Sequence, residues 1–244
     1  LLSSLPPALV PTRLLAIDTA TEICSVALAC GDDVTERSEV VGQGHSERLL
    51  PMVDALLRDH GLRLADCDAI AFGAGPGAFT GLRIACGVAQ GLAFGAGKPV
   101  VPVGNLAALA LVAAQASAPA GRVLAAIDAR MNEVYWALYT YVGGVVEQQI
   151  APSLAAAAEL VAICRQLAPD LVAGNALLAF PALAAQLDAA VAPNARASAA
   201  PIARLAARIH ASGGAVAPAL AAPLYVRDRV ALTVDERRAA ATMR

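Results

Sequence analysis

The sequence predicts an α/β protein built as two tandem units, and three observations carry that prediction. The first is an internal echo. Leu14, Ala16, Ile17, Asp18, Ala27 and Leu28 recur as Leu124, Ala126, Ile127, Asp128, Ala137 and Leu138, all at one offset of 110 residues. The second is that each half opens with three short apolar runs and then alternates between helical and strand-like periods. The third is composition. Of the 244 residues 58% are apolar but only 4% aromatic, with alanine dominant, which suits helices packed closely on sheets.

In the first half, residues 13–20, 24–30 and 34–41 read as three strands joined by hairpins. A helix over 46–60 follows, with Pro51 in its first turns, where proline is tolerated. Then come a buried strand at 68–72, a glycine-rich turn, a helix over 82–95, a strand at 100–103 and a helix over 106–117. The second half repeats the order: strands at 123–128, 133–141 and 145–150, a helix over 154–167, and a strand at 171–174. A helix over 180–187, a strand near 196–200 and a helix over 202–211 complete it. This divides the chain into an extended or disordered tail at 1–12, a first domain at 13–120, a second at 121–224 and a charged tail at 225–244. Three hairpin strands followed by alternating helix and strand make a mixed sheet flanked by helices. Two such units in tandem are the architecture of actin, hexokinase and Hsp70-type ATPases, the ribonuclease H-like fold.

Charge narrows the function classes. The net charge is −2, Lys98 is the only lysine, and Arg37, Arg48, Arg58, Arg63 and Arg83 form no basic stripe. Any nucleic acid is therefore expected to be met through a partner. Five cysteines without a CxxC spacing read as buried free thiols in a reducing cytosol. The first twelve residues lack the pattern of a signal peptide. The most apolar helical stretch, 82–97, carries Arg83 and Gln90 and is too short to span a bilayer. A cytoplasmic protein with no membrane contact is expected. His45, His60 and His210 are too scattered for a metal site, and no GxSxG nucleophile turn is present, so no catalytic or metal-ligating residue is assigned.

Four features remain. Asp18-Thr19-Ala20-Thr21 sits at a strand–strand turn, where it either contacts phosphate or caps an ordinary hairpin. Asp18 and Asp128 occupy matching places in the repeat and could face one cleft. The Gly73–Gly81 string reads equally as a tight structural turn or as an anion nest. Together these give Asp18, Thr19, Thr21, Gly75, Gly77 and Thr80 as candidate phosphate or nucleotide contacts. The last feature is a pair of helices. Gly87, Gly91 and Gly95 recur every four residues, and each costs about 1 kcal/mol against alanine in a helix interior. Either a partner helix or the protein's own core fills that groove. In the neighbouring helix, Leu49, Leu50, Met52, Val53, Leu56 and Leu57 exceed a narrow buried stripe. With Arg83, Gly87, Gln90, Gly91 and Phe94 they form the candidate partner interface.

Several of these segments resemble the signature blocks of the TsaB (YeaZ) family. They are 15–21, 45–51, the Gly-Pro-Gly-Ala-Phe-Thr-Gly-Leu-Arg string at 75–83, 125–136, and the Tyr225-Val226-Arg227 block near the end. The resemblance implies an accessory subunit that lacks the metal-binding histidine pair of the catalytic subunit TsaD and pairs with TsaD through first-domain helices. TsaE, an ATPase, joins them, and the assembly forms N6-threonylcarbamoyladenosine at position 37 of tRNA. It implies a homodimer when TsaD is absent, no cofactor required by this chain itself, and ATP or ADP at the complex interface. The alternative reading is an independent nucleotide-binding phosphotransferase or glycoprotease-like hydrolase of the same fold.

Overall fold

The computed structural model describes residues 12–42, 44–117 and 121–227; the terminal tails fall almost wholly outside these. The first sheet is built from β1 (Arg13–Asp18), β2 (Ile23–Cys30), β3 (Asp33–Val40), β4 (Ala69–Gly75) and β5 (Val100–Gly104), in the spatial order β3-β2-β1-β4-β5. β1 pairs antiparallel with β2 and parallel with β4, so the sheet is mixed as the element order requires. Between the strands lie α1 (His45–Asp59), α2 (Phe79–Ala96) and, after β5, α3 (Asn105–Ser117).

The second sheet comprises β6 (Gly121–Arg130), β7 (Glu133–Val142), β8 (Val145–Ala156), β9 (Leu171–Ala173) and β10 (Ala190–Ala192). Its order, β10-β9-β6-β7-β8, repeats that of the first. The helices are α4 (Leu160–Leu167), the single turns α5 (Ala176–Ala179) and α6 (Pro181–Ala184), and α7 (Ala199–Ala211). Three expectations need correction here. The helix expected from Leu154 starts at Leu160, because β8 continues to Ala156, where Glu133 of β7 still pairs with it. Of the helix expected over 180–187 only the short turn α6 forms; α5 precedes that range, and the two are divided at Phe180. The poorly marked last strand lies at 190–192, not near 196–200, where the chain leads into α7.

The domain boundary also differs. α3 and α7 are exchanged: α3 packs on β6, β7 and β8, while α7 packs on β1, β2, β4 and β5. Ser25 Oγ accepts the Ala199 amide at 2.9 Å, Glu36 Oε1 accepts the Ala200 amide at 2.8 Å, and Val216 bridges to Val100. Residues 199–225 therefore complete the first lobe, although they follow the second in sequence. The exchange makes one apolar core of Leu106, Leu109, Ile202 and Ala206 between the two sheets. The outer faces carry separate cores, under α1 and α2 in the first lobe and under α4 to α6 in the second.

Facing within these cores refines the repeat. Ala27 and Ala137 share the central core, as the offset of 110 requires. On the strands before them, however, Leu14 and Ala16 correspond in facing to Val123 and Ala125, one residue short of that offset. A one-residue slip reverses which face a side chain takes. Asp18 thus matches Ile127 in facing, and Asp128 points the other way.

Candidate functional site

The two lobes enclose a cleft of about 750 Å³, within the size range of small-molecule sites. The first lobe contributes the β1–β2 turn at 19–22, the start of α1 and the turn before α2. The second contributes the end of β6 with Asp128 and Arg130, together with Tyr135 and Asn175. Arg196, before α7, reaches across to Glu22 at 3.5 Å.

Of the candidate phosphate contacts, Thr19, Thr21, Gly77 and Thr80 line this cleft, whereas Asp18 and Gly75 lie behind its wall. The hydroxyl of Thr19 is buried and donates to Gly81 O at 2.7 Å. Thr21 Oγ1 accepts the Ile23 amide at 3.1 Å, the ordinary use of a hydroxyl in a turn. The glycine-rich string is held just as closely. The Gly75 amide donates to Asn105 Oδ1 at 2.7 Å and the Ala78 amide to Ala20 O at 2.8 Å. A Cβ on Gly77 would stand 2.8 Å from Ala20 O, and one on Gly81 would overlap the Thr19 carbonyl. Two backbones meet here at a distance only glycine permits. These features favour the structural reading of the string.

Asp18 is fully buried. Its Oδ1 accepts Asn105 Nδ2 at 3.0 Å, while its Oδ2 has no hydrogen-bond partner. Burial pushes its carboxyl up to about 6, against the hydrogen bond from Asn105. Asp128 instead lines the cleft, with Oδ1 accepting the Arg130 amide at 2.8 Å. The two aspartates therefore do not form the shared pair that their matching places suggested. Asn105 was missed in the sequence; an amide opening a helix that stays apolar for its next nine residues was the available signal.

The interface candidates separate into two groups. Leu49, Met52, Val53, Leu56 and Leu57 are buried under α1 in the first lobe's own core, so they present no free docking surface; Leu50 alone is half exposed. Their spacing of i, i+3, i+4, i+7 and i+8 is one face of a helix. On α2, Gly87, Gly91 and Gly95 lie on the exposed side, and a Cβ built on any of them meets nothing within 4 Å. Phe94 beside them is 83% exposed. Arg83 lies 4.0 Å over the Phe79 ring and donates from Nε to Tyr225 Oη at 3.0 Å. Gln90 Nε2 donates to Ala221 O at 3.0 Å.

The remaining expectations concern single residue types. All five cysteines are free thiols and all but Cys30 are buried; burial pushes Cys24, Cys67 and Cys164 up to about 11. His45 is buried and ties α1 to the β1–β2 turn through Nε2 and Thr21 O, 2.9 Å apart. Among the described residues no helix is long and apolar enough to cross a membrane.

Comparison with known proteins agrees with this geometry. A family model described as TsaD, tRNA N6-adenosine threonylcarbamoyltransferase, matches residues 37–230. The tRNA threonylcarbamoyladenosine biosynthesis protein TsaB of Haemophilus influenzae is 54% identical over 123 residues, covering 50% of this chain and 52% of its own length. The TsaB of Escherichia coli is 53% identical over 127 residues, covering 52% and 54%. The chain thus spans about half the length of the curated relatives it matches. YeaZ from Pseudomonas aeruginosa superposes with a TM-score of 0.78 at 39% identity, over 88% of this chain and 99% of that one. With the model matched over most of its length and a solved YeaZ structure covered almost end to end, the chain belongs to the TsaD family, in its TsaB (YeaZ) branch.

Proposed function

We propose that this chain is an accessory, non-catalytic subunit of the cytoplasmic complex that forms N6-threonylcarbamoyladenosine at position 37 of tRNA. In this reading it docks the catalytic subunit TsaD through the outer face of α2, and the same face joins two copies when TsaD is absent. TsaE joins the assembly as its ATPase, ATP or ADP sits at the interface of the complex, and tRNA is held by the partners.

The observation that carries the reading is the row Gly87, Gly91 and Gly95. Three glycines in a helix interior are unfavourable, and the protein's own core does not fill the groove they leave. A second helix seated there would make close backbone contact, with Phe94 as an apolar anchor. The names of the relatives supply the pathway. The non-catalytic part of the reading is supported by the β1–β2 turn and the glycine-rich string, whose Thr19 hydroxyl and Gly75 and Ala78 donors are taken up by the fold.

Gly91→Leu tests it. Open space above Gly91 means the isolated chain should fold normally by circular dichroism and melting. Its affinity for TsaD, measured by calorimetry, should fall at least about tenfold because the seam can no longer close. Unchanged affinity in the folded variant would overturn the docking assignment.

A further inference from the structure

The Tyr225-Val226-Arg227 block plays no part in that docking reading, yet the structure gives it a specific path. The segment 221–227 leaves the helical turn at Pro218–Leu220 and runs over the first lobe, where it is fastened at three points. Ala221 O accepts Gln90 Nε2 at 3.0 Å, the Leu224 amide donates to Ala74 O at 2.7 Å, and Tyr225 stacks on Phe79 with ring centroids 5.5 Å apart. Two residues further on, a side chain crosses to the other lobe. Arg227 donates from Nη2 to Ala129 O at 2.9 Å, pairs with Glu133, and lies 5.8 Å over the Tyr135 ring. Its side chain is only 16% exposed, and it lines the cleft.

The end it grips is unusual. Arg130, Met131 and Asn132 all have left-handed backbone, with φ of 63°, 56° and 58°. Such angles are uncommon for residues other than glycine, and three in succession persist only where surrounding structure holds them. Arg227 binds the carbonyl just before this tip and the carboxylate just after it, at Ala129 and Glu133.

We propose that residues 221–227 are an interlobe latch: fastened along α2 and β4, the segment clasps the β6–β7 tip through Arg227 and so fixes the opening of the cleft. A largely buried, multiply bonded guanidinium is suited to this work, because its Nη2 carries two hydrogens and donates to a carbonyl and a carboxylate together. Without it the lobes remain joined by the central core of α3 and α7, which reaches the cleft at Leu109, and by the Arg196–Glu22 pair, so release loosens the mouth without unfolding either lobe.

The test uses the full chain and hydrogen–deuterium exchange read by mass spectrometry. Arg227→Glu sets two carboxylates against each other. It should raise amide exchange at the tip, 129–133, and at the opposite lip, 76–81, by about tenfold. Adding Glu133→Arg should bring both rates back to within about threefold of the parent. If Arg227→Glu fails to fold, Glu133→Gln replaces it, with a severalfold rise expected at the same two places. Exchange unchanged at both lips overturns the latch, as does a rise confined to 221–227, which would mean that the segment merely frays.

Discussion

Gly81→Ala is expected to destabilise the protein by about 3–5 kcal/mol, while Gly87→Ala, six residues further along the same helix, stabilises it by about 0.5–1 kcal/mol. Opposite signs follow from what each new methyl meets. At Gly81 it would overlap the Thr19 carbonyl oxygen and stand 2.9 Å from its carbon. That oxygen cannot withdraw, because Asp18 before it and Thr19 itself are bound into the wall, the latter through its hydroxyl to Gly81 O. Relief would require moving the start of α2 away from the β1–β2 turn and breaking the bond between Ala78 and Ala20. At Gly87 the methyl enters open space on a helix whose backbone loses less entropy with alanine. For a chain of this size, melting should fall by about 10 °C in the first variant and rise by about 2 °C in the second. Thermal unfolding of the two side by side checks this. Equal effects would mean that the seam at Thr19 is looser than the structure shows. The stabilised variant has a further use: if α2 docks a partner, it should pair less well while being the sturdier protein.

Much of this was legible before any coordinates. Alternating apolar runs placed β1, β2 and β3 within two residues, because hairpin strands carry their own local signal. The matching order of the two sheets was foreshadowed by the Ile-Asp pairs at 17–18 and 127–128. What stayed hidden depends on which surface an element meets. Nothing in the alanine-rich stretch before α7 says that it packs on the first sheet, since periodicity reports a buried face and not its partner. The α1 leucines were read as surplus because six apolar residues were counted, although five share one face and only Leu50 leaves it. The repeat itself misled at the aspartates. A shift of one residue is invisible to an alignment of apolar letters, yet it turns Asp18 into the wall and Asp128 into the cleft.

Asp18 also contributes to the protein's response to pH. Its carboxyl is raised from 3.8 to about 6, chiefly because burial disfavours the charged form. An acid that binds its proton more tightly when folded stabilises the fold only while protonated. Its contribution is complete below about 4, declines as the pH rises through the interval to about 6, and is gone above that. Over roughly two pH units the loss amounts to about 3 kcal/mol. Asp18→Asn removes the titration but keeps the shape, and its amide oxygen can still accept from Asn105 Nδ2, as Oδ1 does now. The variant should therefore match the parent near pH 4 and exceed it by about 3 kcal/mol at pH 7.5, in denaturant titrations run at both values. A gap that stays constant with pH would show that the carboxyl is solvated in the folded protein, and one that closes as the pH rises would show that the fold favours its charged form. A catalytic or phosphate-binding carboxylate needs an open path to its ligand. This one has an unpartnered oxygen sealed behind the cleft wall, and the place that faces likewise in the second lobe is filled by Ile127. That contrast favours a framework role for the β1–β2 turn and is consistent with the docking role proposed for the outward face of α2.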